Sequence, residues 1–284
     1  MLNGGVPGSG AGPTGPQGPQ PSPTARWIPS LVIEGCWQMA IDQSLLQASL
    51  ARPVGAPSLR LYRWSRPTLS LGHHQRSLPP HWLELAANGT IDLVRRPSGG
   101  RAVLHGGDLT YALVWPSAPP QRRRAYGLAC GWLCRAFAEL GQPLRFGRKA
   151  PSRERASCFA TSTAADLVHR DGAKRIGSAQ LWSRGTLLQH GSIQIAPAED
   201  LWRALFSEDP PRLAPLPLAG SDLEAHLRRC AERHLDLGWS GHGRGSWGPG
   251  NWNEQILQAD EWEAARLCLD RYRLPAEAGG LALS

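Results

Sequence analysis

The sequence predicts an α/β domain of the α+β kind, with a mixed, largely antiparallel sheet flanked by helices. Three observations predict it. Short alternating apolar segments come in adjacent pairs, as hairpins do. Segments with helical apolar spacing stand between groups of them. Hydrophobic residues make up 41% of the 284, enough for a substantial core, yet no 18-residue apolar run suits a membrane span.

The chain opens on MLNGGVPGSGAGPTGPQGPQPSPTA. It has neither the charged start nor the apolar stretch of a signal peptide. Gly, Pro, Ser and Gln bury too little apolar surface to offset the entropy of ordering. A disordered tail is expected over 1–25, the domain over 26–275 and a flexible end over 276–284. Residues 36–50 have helical spacing. SLRLYRW (58–64) alternates as a strand does, and RPTLSLGHHQ continues as a short strand and a loop. PPHWLELAANG reads as a helix begun by Pro and stopped by Asn-Gly. IDLVRR (91–96) is a strand, PSGG a glycine turn, and RAVLHGGDLTYALVWP one further strand. Residues 122–140 form an amphipathic helix. ADLVH and KRIGSAQLW flank a two-residue hairpin signal at Asp171-Gly172. GTLLQHGSIQI (185–195) is another strand. Helices follow near 198–206, 222–235 and 260–272, with a Gly/Trp-rich loop over 238–252. There is no internal repeat.

The formal charge is +8 and the isoelectric point about 9.7. A basic balance suits nucleic acid, anionic lipid or an acidic protein. The densest cluster, QRRRA (121–125), lacks the interleaved aromatics of a nucleic-acid platform, so no nucleic acid and no membrane partner is expected. Six cysteines are scattered through a chain too long to need staples. Cys130 and Cys134 lie at i, i+4 on an apolar helix face without two further zinc ligands, and read as buried core thiols. No metal is expected, and a reducing cytoplasm fits.

Two segments carry chemistry. In RRPSGGRAVLHGGDLTYAL, paired glycines allow positive φ and close backbone approach. Arg95, Arg96 and Arg101 surround the turn, and His105 stands beside a second Gly-Gly pair. The run matches neither phosphate-loop nor dinucleotide patterns. In SCFATSTAADLVHRDGAKRIGSAQLW, Cys158 lies in a Ser/Thr/Ala loop, with Arg153, Arg155 and Lys174 as cations able to favour a thiolate. The chain has 29 arginines but only two lysines, Lys149 and Lys174. Arginine stays protonated, whereas lysine can release a proton when desolvated. A site that holds a thiolate and handles a proton can use Lys174. On the residues alone, a plain β-turn, an incidental cysteine and a chance lysine stay open.

Together with QMAIDQSLL (38–46) and RLYRWSRPTLSLGHHQ (60–75), these segments resemble the biotin/lipoate A/B protein ligase family over roughly residues 30–200, and most closely its octanoyltransferases. The resemblance implies that family's catalytic-domain fold. It implies a tunnel for a medium-length acyl chain, walled by the Gly-Gly turn and the GSAQ strand. Cys158 would be the acyl-thioester nucleophile, with Lys174 lowering its pKa. Arg95, Arg96, Ser98, Gly99, Gly100, Arg101, His105, Gly177, Ser178, Ala179 and His190 would bind the acyl substrate. The implied donor is octanoyl-acyl carrier protein. The acceptor is a lipoyl-domain protein such as glycine cleavage H protein or a 2-oxoacid dehydrogenase E2. No cofactor is implied. Cys158, the SGGR turn and the short remainder after the core favour transferase over ATP-dependent lipoate ligase. HGGDLTY in place of HDxELTY, and TSTAAD in place of a Pro-Ser-aromatic segment, depart from the pattern. The competing readings are the ligase and a non-catalytic acyl- or nucleic-acid-binding protein on the same scaffold.

Overall fold

The computed structural model describes residues 24–52, 55–147, 166–237, 250 and 252–274. In chain order the elements are β1 (Ala25–Ile33), α1 (Gly35–Ala51), β2 (Ser58–Trp64), β3 (Thr68–Leu71), α2 (Pro80–Ala87), β4 (Asp92–Arg95), β5 (Val103–His105), β6 (Asp108–Trp115), α3 (Arg122–Glu139), β7 (Arg145–Phe146), β8 (Asp166–Val168), β9 (Lys174–Ser183), β10 (Thr186–Gln194), α4 (Glu199–Phe206), α5 (Gly220–His234), β11 (Trp252–Glu254), α6 (Ala259–Arg266) and α7 (Leu269–Tyr272). The large sheet runs β11-β1-β2-β6-β10-β9-β8-β7, and a small sheet runs β4-β3-β5. β1 pairs parallel with β11 and β2, and every other pair in the large sheet is antiparallel. This is the mixed, largely antiparallel α/β architecture expected from the sequence.

The period of two along β6 sorts the two faces of the large sheet. Leu109, Tyr111, Leu113 and Trp115 pack with α3 and α5, while Ala112 and Val114 pack with α1. Both faces are covered, so every residue of β6 and β10 is buried. A third cluster joins the small sheet to Trp82 of α2 and to Trp202 and Phe206 of α4. Residues 38–46 of α1 are all buried, because α6 and α7 cover the side turned away from the sheet. That burial encloses four polar side chains, Gln38, Asp42, Gln43 and Ser44.

Several expectations are corrected. RAVLHGGDLTYALVWP is two strands in different sheets. Gly106, at φ +130°, turns the chain, and a Cβ on Gly107 would lie 2.1 Å from the Ala196 carbonyl oxygen. The hairpin between β8 and β9 turns over 169–173, closed by a Gly172 N–H to His169 carbonyl bond and with Gly172 at φ +93°. The 260–272 helix is split into α6 and α7. β1 begins at Ala25, the last residue assigned to the tail, and that residue is fully buried. Pro29 hides this strand from a sequence reading and coincides with a register break between Ile28 and Leu31. The short strands β7 and β11 were not expected. Most of the Gly/Trp-rich 238–252 loop lies outside the described residues.

Candidate active site

A narrow cavity of about 50 Å³ opens between the α1 face of the large sheet and the small sheet. Gly99 and Gly100 wall one side, and Gly177, Ser178 and Ala179 of β9 the other. Met39, Tyr62, Trp64 and Val103 make the lining largely apolar, and His105 and His190 complete it. Eight of the eleven residues expected from the sequence at the acyl site, Arg96 among them, therefore line one slot.

Each histidine is the middle of a buried hydrogen-bond chain. In the first chain, Arg60 donates to Asp42 Oδ1 from Nε (3.0 Å) and Nη2 (2.6 Å), with both side chains almost wholly excluded from solvent. Asp42 Oδ2 accepts from His190 Nδ1 at 3.0 Å, and His190 Nε2 lies 2.5 Å from Ser98 Oγ. Burial alone would push the Asp42 carboxyl up. The Arg60 charge and the His190 hydrogen bond more than offset it, leaving Asp42 below the usual carboxylate range.

In the second chain, Asp108 Oδ2 accepts from His105 Nδ1 at 2.7 Å, and His105 Nε2 meets Ser70 Oγ at 2.7 Å. Arg96 Nη1 donates to that hydroxyl (2.7 Å) and to the Ser70 carbonyl (2.6 Å). Burial pushes His105 down; Asp108 opposes this, while Arg96 and His190 add to it, and the net shift is downward. His105 is thus a neutral imidazole at pH 7, its proton fixed on Nδ1 by Asp108. Asp108 has donors rather than an arginine for company: Ser192 (2.7 Å), Thr110 (3.1 Å) and the Gly106 N–H (3.2 Å). Trp64 stacks on the His105 ring at 3.9 Å.

Both chains end on the glycine turn. Ser98 ties it to His190, and Arg96 Nη2 donates to the carbonyls of Gly99 (3.2 Å) and Arg101 (2.8 Å). Gly100 sits at φ +100°, which a side chain rarely adopts. Gly99 has an ordinary φ and open space around a built Cβ, so only Gly100 of the pair is closed to side chains. The tighter glycine is Gly72, where a Cβ would come 1.9 Å from the Gly100 carbonyl oxygen.

Lys174 begins β9 and is buried, with Nζ 2.9 Å from Asp166 Oδ1. Asp166 also accepts at its carbonyl from the Gly147 N–H at 2.9 Å. The segment carrying Cys158 therefore leaves and rejoins the described chain at two hydrogen-bonded residues, one of them the partner of Lys174. Cys158, with Arg153 and Arg155, lies outside the described residues. Tyr111 OH joins Ser178 Oγ (2.8 Å) to Gln189 Nε2 (2.8 Å) behind the slot.

A model of the lipoyl protein ligase A/B catalytic domain matches residues 35–211, which include both chains, the turn and Lys174. The chain belongs to that family. Curated relatives include the octanoyltransferase LipM of Kyrpidia tusciae, 35% identical over 70% of this chain and 72% of that protein. The octanoyltransferase LipM of Halalkalibacterium halodurans is 33% identical over 65% of this chain and 70% of that protein. Among solved structures, a T. acidophilum protein with bound lipoic acid superposes with a TM-score of 0.69 at 19% identity, covering 87% of this chain and 95% of that one. That likeness shows a shared lipoyl ligase fold.

Within this lipoyl ligase domain, three residues expected at the acyl site, Arg95, Ser98 and Arg101, do not line the slot. Arg95 points its Nη1 to the carbonyls of Gln75 (2.5 Å) and Gly72 (3.3 Å), and borders a neighbouring groove instead. Arg101 contributes its carbonyl, while its Nη1 is buried with no hydrogen-bond partner among the described residues. Ser98 is buried behind His190. Asp42, Arg60, Ser70 and Asp108 escaped the sequence reading. One signal was available: Asp42 is a carboxylate within the apolar run of 36–50.

Cys130 is a core thiol, pushed by burial to about 11, whereas Cys134 is only half-buried. Glu139, His226 and Cys230 gather within 4.8 Å and have the side chains of a metal site. Arg233, however, donates to both Glu139 (2.8 Å) and Cys230 (3.3 Å), and His226 Nε2 faces the Ala136 carbonyl at 3.0 Å. The cluster is a charge-compensated seam between α3 and α5. Among the described residues no helix is long and apolar enough to cross a membrane.

Proposed function

We propose that this protein is an octanoyltransferase of protein lipoylation, moving an octanoyl group from acyl carrier protein through a Cys158 thioester to a lysine of a lipoyl domain. The observation that carries the reading is the 33–35% identity to curated octanoyltransferases over about two thirds of each chain. The site chemistry supports it. Cys158 thiolate adds to the donor thioester carbonyl; the new carbon–sulfur bond replaces the old one, and the carrier leaves as a thiol after taking a proton. The lipoyl-domain amine then adds to octanoyl-Cys158. A carbon–nitrogen bond forms, the carbon–sulfur bond breaks, and the amine proton returns to the Cys158–Lys174 pair. Thioester to thioester is near balance and thioester to amide runs downhill, so no nucleotide is consumed.

The slot suits this task. Its two imidazoles are anchored at both nitrogens, and its apolar lining accepts a neutral hydrocarbon chain. Lys174 holds a compact ammonium at a buried carboxylate beside the ends of the Cys158 segment. The basic surface fits an acidic carrier. The acceptor is a lipoyl domain such as that of glycine cleavage H protein or an E2 subunit, and the setting is cytoplasmic. Product formation from octanoyl-carrier and lipoyl domain without ATP is the test. Product only from free octanoate plus ATP would make the protein a ligase instead. No product under either regime would favour a non-catalytic binder.

A further inference from the structure

We propose that the groove at the mouth of the acyl slot is a binding site for a phosphate ester carried on the arm that delivers the acyl group. The inference rests on the octanoyltransferase reading and adds a second recognition element to it. The groove has a volume of about 600 Å³ and shares Arg96 and Gly99 with the slot, so its occupant can be continuous with an acyl chain in the slot.

Its basic side chains come from four separate parts of the chain. His73 and His74 lie on the loop after β3, Arg95 at the end of β4, Arg122 at the start of α3 and Arg271 in α7. Arg76 stands close enough to act on His73 and Arg95. Among the described residues, none of Arg76, Arg95, Arg122 and Arg271 pairs with a carboxylate. Several surface arginines elsewhere are paired: Arg63 with Glu224, Arg228 with Glu232 and Glu254, Arg266 with Glu263, and Arg203 with three carboxylates. Single exposed arginines such as Arg52, Arg135 and Arg184 stand apart; the groove differs in gathering several such arginines around one depression. Like charges gathered without counterions raise the energy of the free protein, and an anion bound among them lowers it. The repulsion is visible at His73. Burial, His74, Arg76, Arg95 and Arg271 all hold its imidazole below the ordinary value. One nitrogen of Arg95 is already fixed by the Gly72 and Gln75 carbonyls, which reduces the entropy lost when the guanidinium takes a ligand.

The position selects the kind of phosphate. An acyl nucleotide would put its phosphate directly on the acyl carbonyl, at the slot itself. A thioester at one end of a neutral spacer with a phosphate ester at its other end separates the two, leaving the acyl group in the slot and the anion in the groove. A carrier's phosphopantetheine arm has this chemistry.

The experiment compares octanoyl-4′-phosphopantetheine with octanoyl-pantetheine, donors that differ only by the phosphate, in transfer to a lipoyl domain by the full-length protein. The expected result is a kcat/KM about tenfold higher for the phosphorylated donor. In Arg271→Gln, and separately in Arg122→Gln, the ratio should fall toward one; both side chains are exposed, and thermal melting checks that each variant is folded. Equal use of the two donors by the wild-type protein, or an unchanged ratio in both variants, overturns the proposal. If neither small donor works while octanoyl-carrier does, the phosphate site is wrong and the octanoyltransferase reading stands. If only octanoate with ATP gives product, the reading itself fails and the groove serves a nucleotide.

Discussion

The slot and the groove beside it share two residues and treat charge in opposite ways. Inside the slot, Asp42 is met by Arg60, Asp108 by four donors, and both histidines are fixed at both ring nitrogens. Along the groove, arginines converge without carboxylates among the described residues. Burying an uncompensated charge costs several kcal/mol, so the interior must be neutralised to fold at all. The exposed rim pays only a screened repulsion. The difference suits the slot to the uncharged acyl chain and the rim to the anion proposed above.

The largest effect should come from breaking compensation in the slot. Asp42→Asn keeps the shape and leaves Arg60 buried and unpaired. It should lose roughly 3–5 kcal/mol in denaturant unfolding, whereas Arg271→Gln on the rim should change stability by less than about 0.5 kcal/mol. Similar losses in the two variants would erase the contrast between the regions.

Next comes the wall shared by slot and groove. Gly100→Val should abolish acyl transfer in a folded protein, because a β-branched residue at φ +100° is strained and faces Arg96 Nη2 at 3.3 Å. Gly99→Ala, with open space and an ordinary φ, should stay within about twofold of wild type, since surface substitutions away from special geometry cost little. Equal damage from both would mean that the wall responds to bulk rather than to backbone conformation.

Lys174→Arg should cost at least about tenfold in single-turnover transfer, roughly 1.4 kcal/mol. The buried space against Asp166 fits an ammonium, and a guanidinium is larger. Lys174→Ala should move the midpoint of Cys158 alkylation to higher pH. Full activity in Lys174→Arg with an unmoved midpoint would reduce Lys174 to a structural ion pair.

The smallest effect concerns His105. Its folded pKa lies below the ordinary value of 6.5. As pH falls through about 6.5 the unfolded chain binds the proton first, so the stability present above that point declines toward the lower folded value. Asp108, Ser70, Trp64, Arg96 and His190 all face this ring. Asp42 and Asp108, with lowered values, add losses only below the unfolded carboxylate range near 3.8. His105→Gln should therefore flatten the decline of stability just below about pH 6.5, leaving the acid limb intact. An unchanged slope would mean that His105 titrates in the folded state as it does unfolded.

The sequence showed most of the scaffold, because SLRLYRW alternates as a strand does and Pro80 and Asn88-Gly89 bracket α2. It hid β1, where Pro29 breaks the pattern, and it merged β5 with β6, because Gly106-Gly107 redirects the chain only through contacts with Pro67 and Ala196. The histidines and glycines of the site were legible as motif residues. Their partners were not: Asp42 and His190 are 148 residues apart, and only the packing of α1 across the sheet joins them. Gly72, more tightly held than Gly99, carried no signal at all, since its constraint is the Gly100 backbone facing it.

The most direct test of the account is the intact mass of the protein after mixing with octanoyl-acyl carrier protein in the absence of ATP and acceptor. The account predicts a gain of one octanoyl group, mapped to Cys158 by peptide analysis, absent in Cys158→Ala and discharged when a lipoyl domain is added. Octanoylated lipoyl domain formed at the wild-type rate by Cys158→Ala, with no adduct on the wild-type protein, would contradict it.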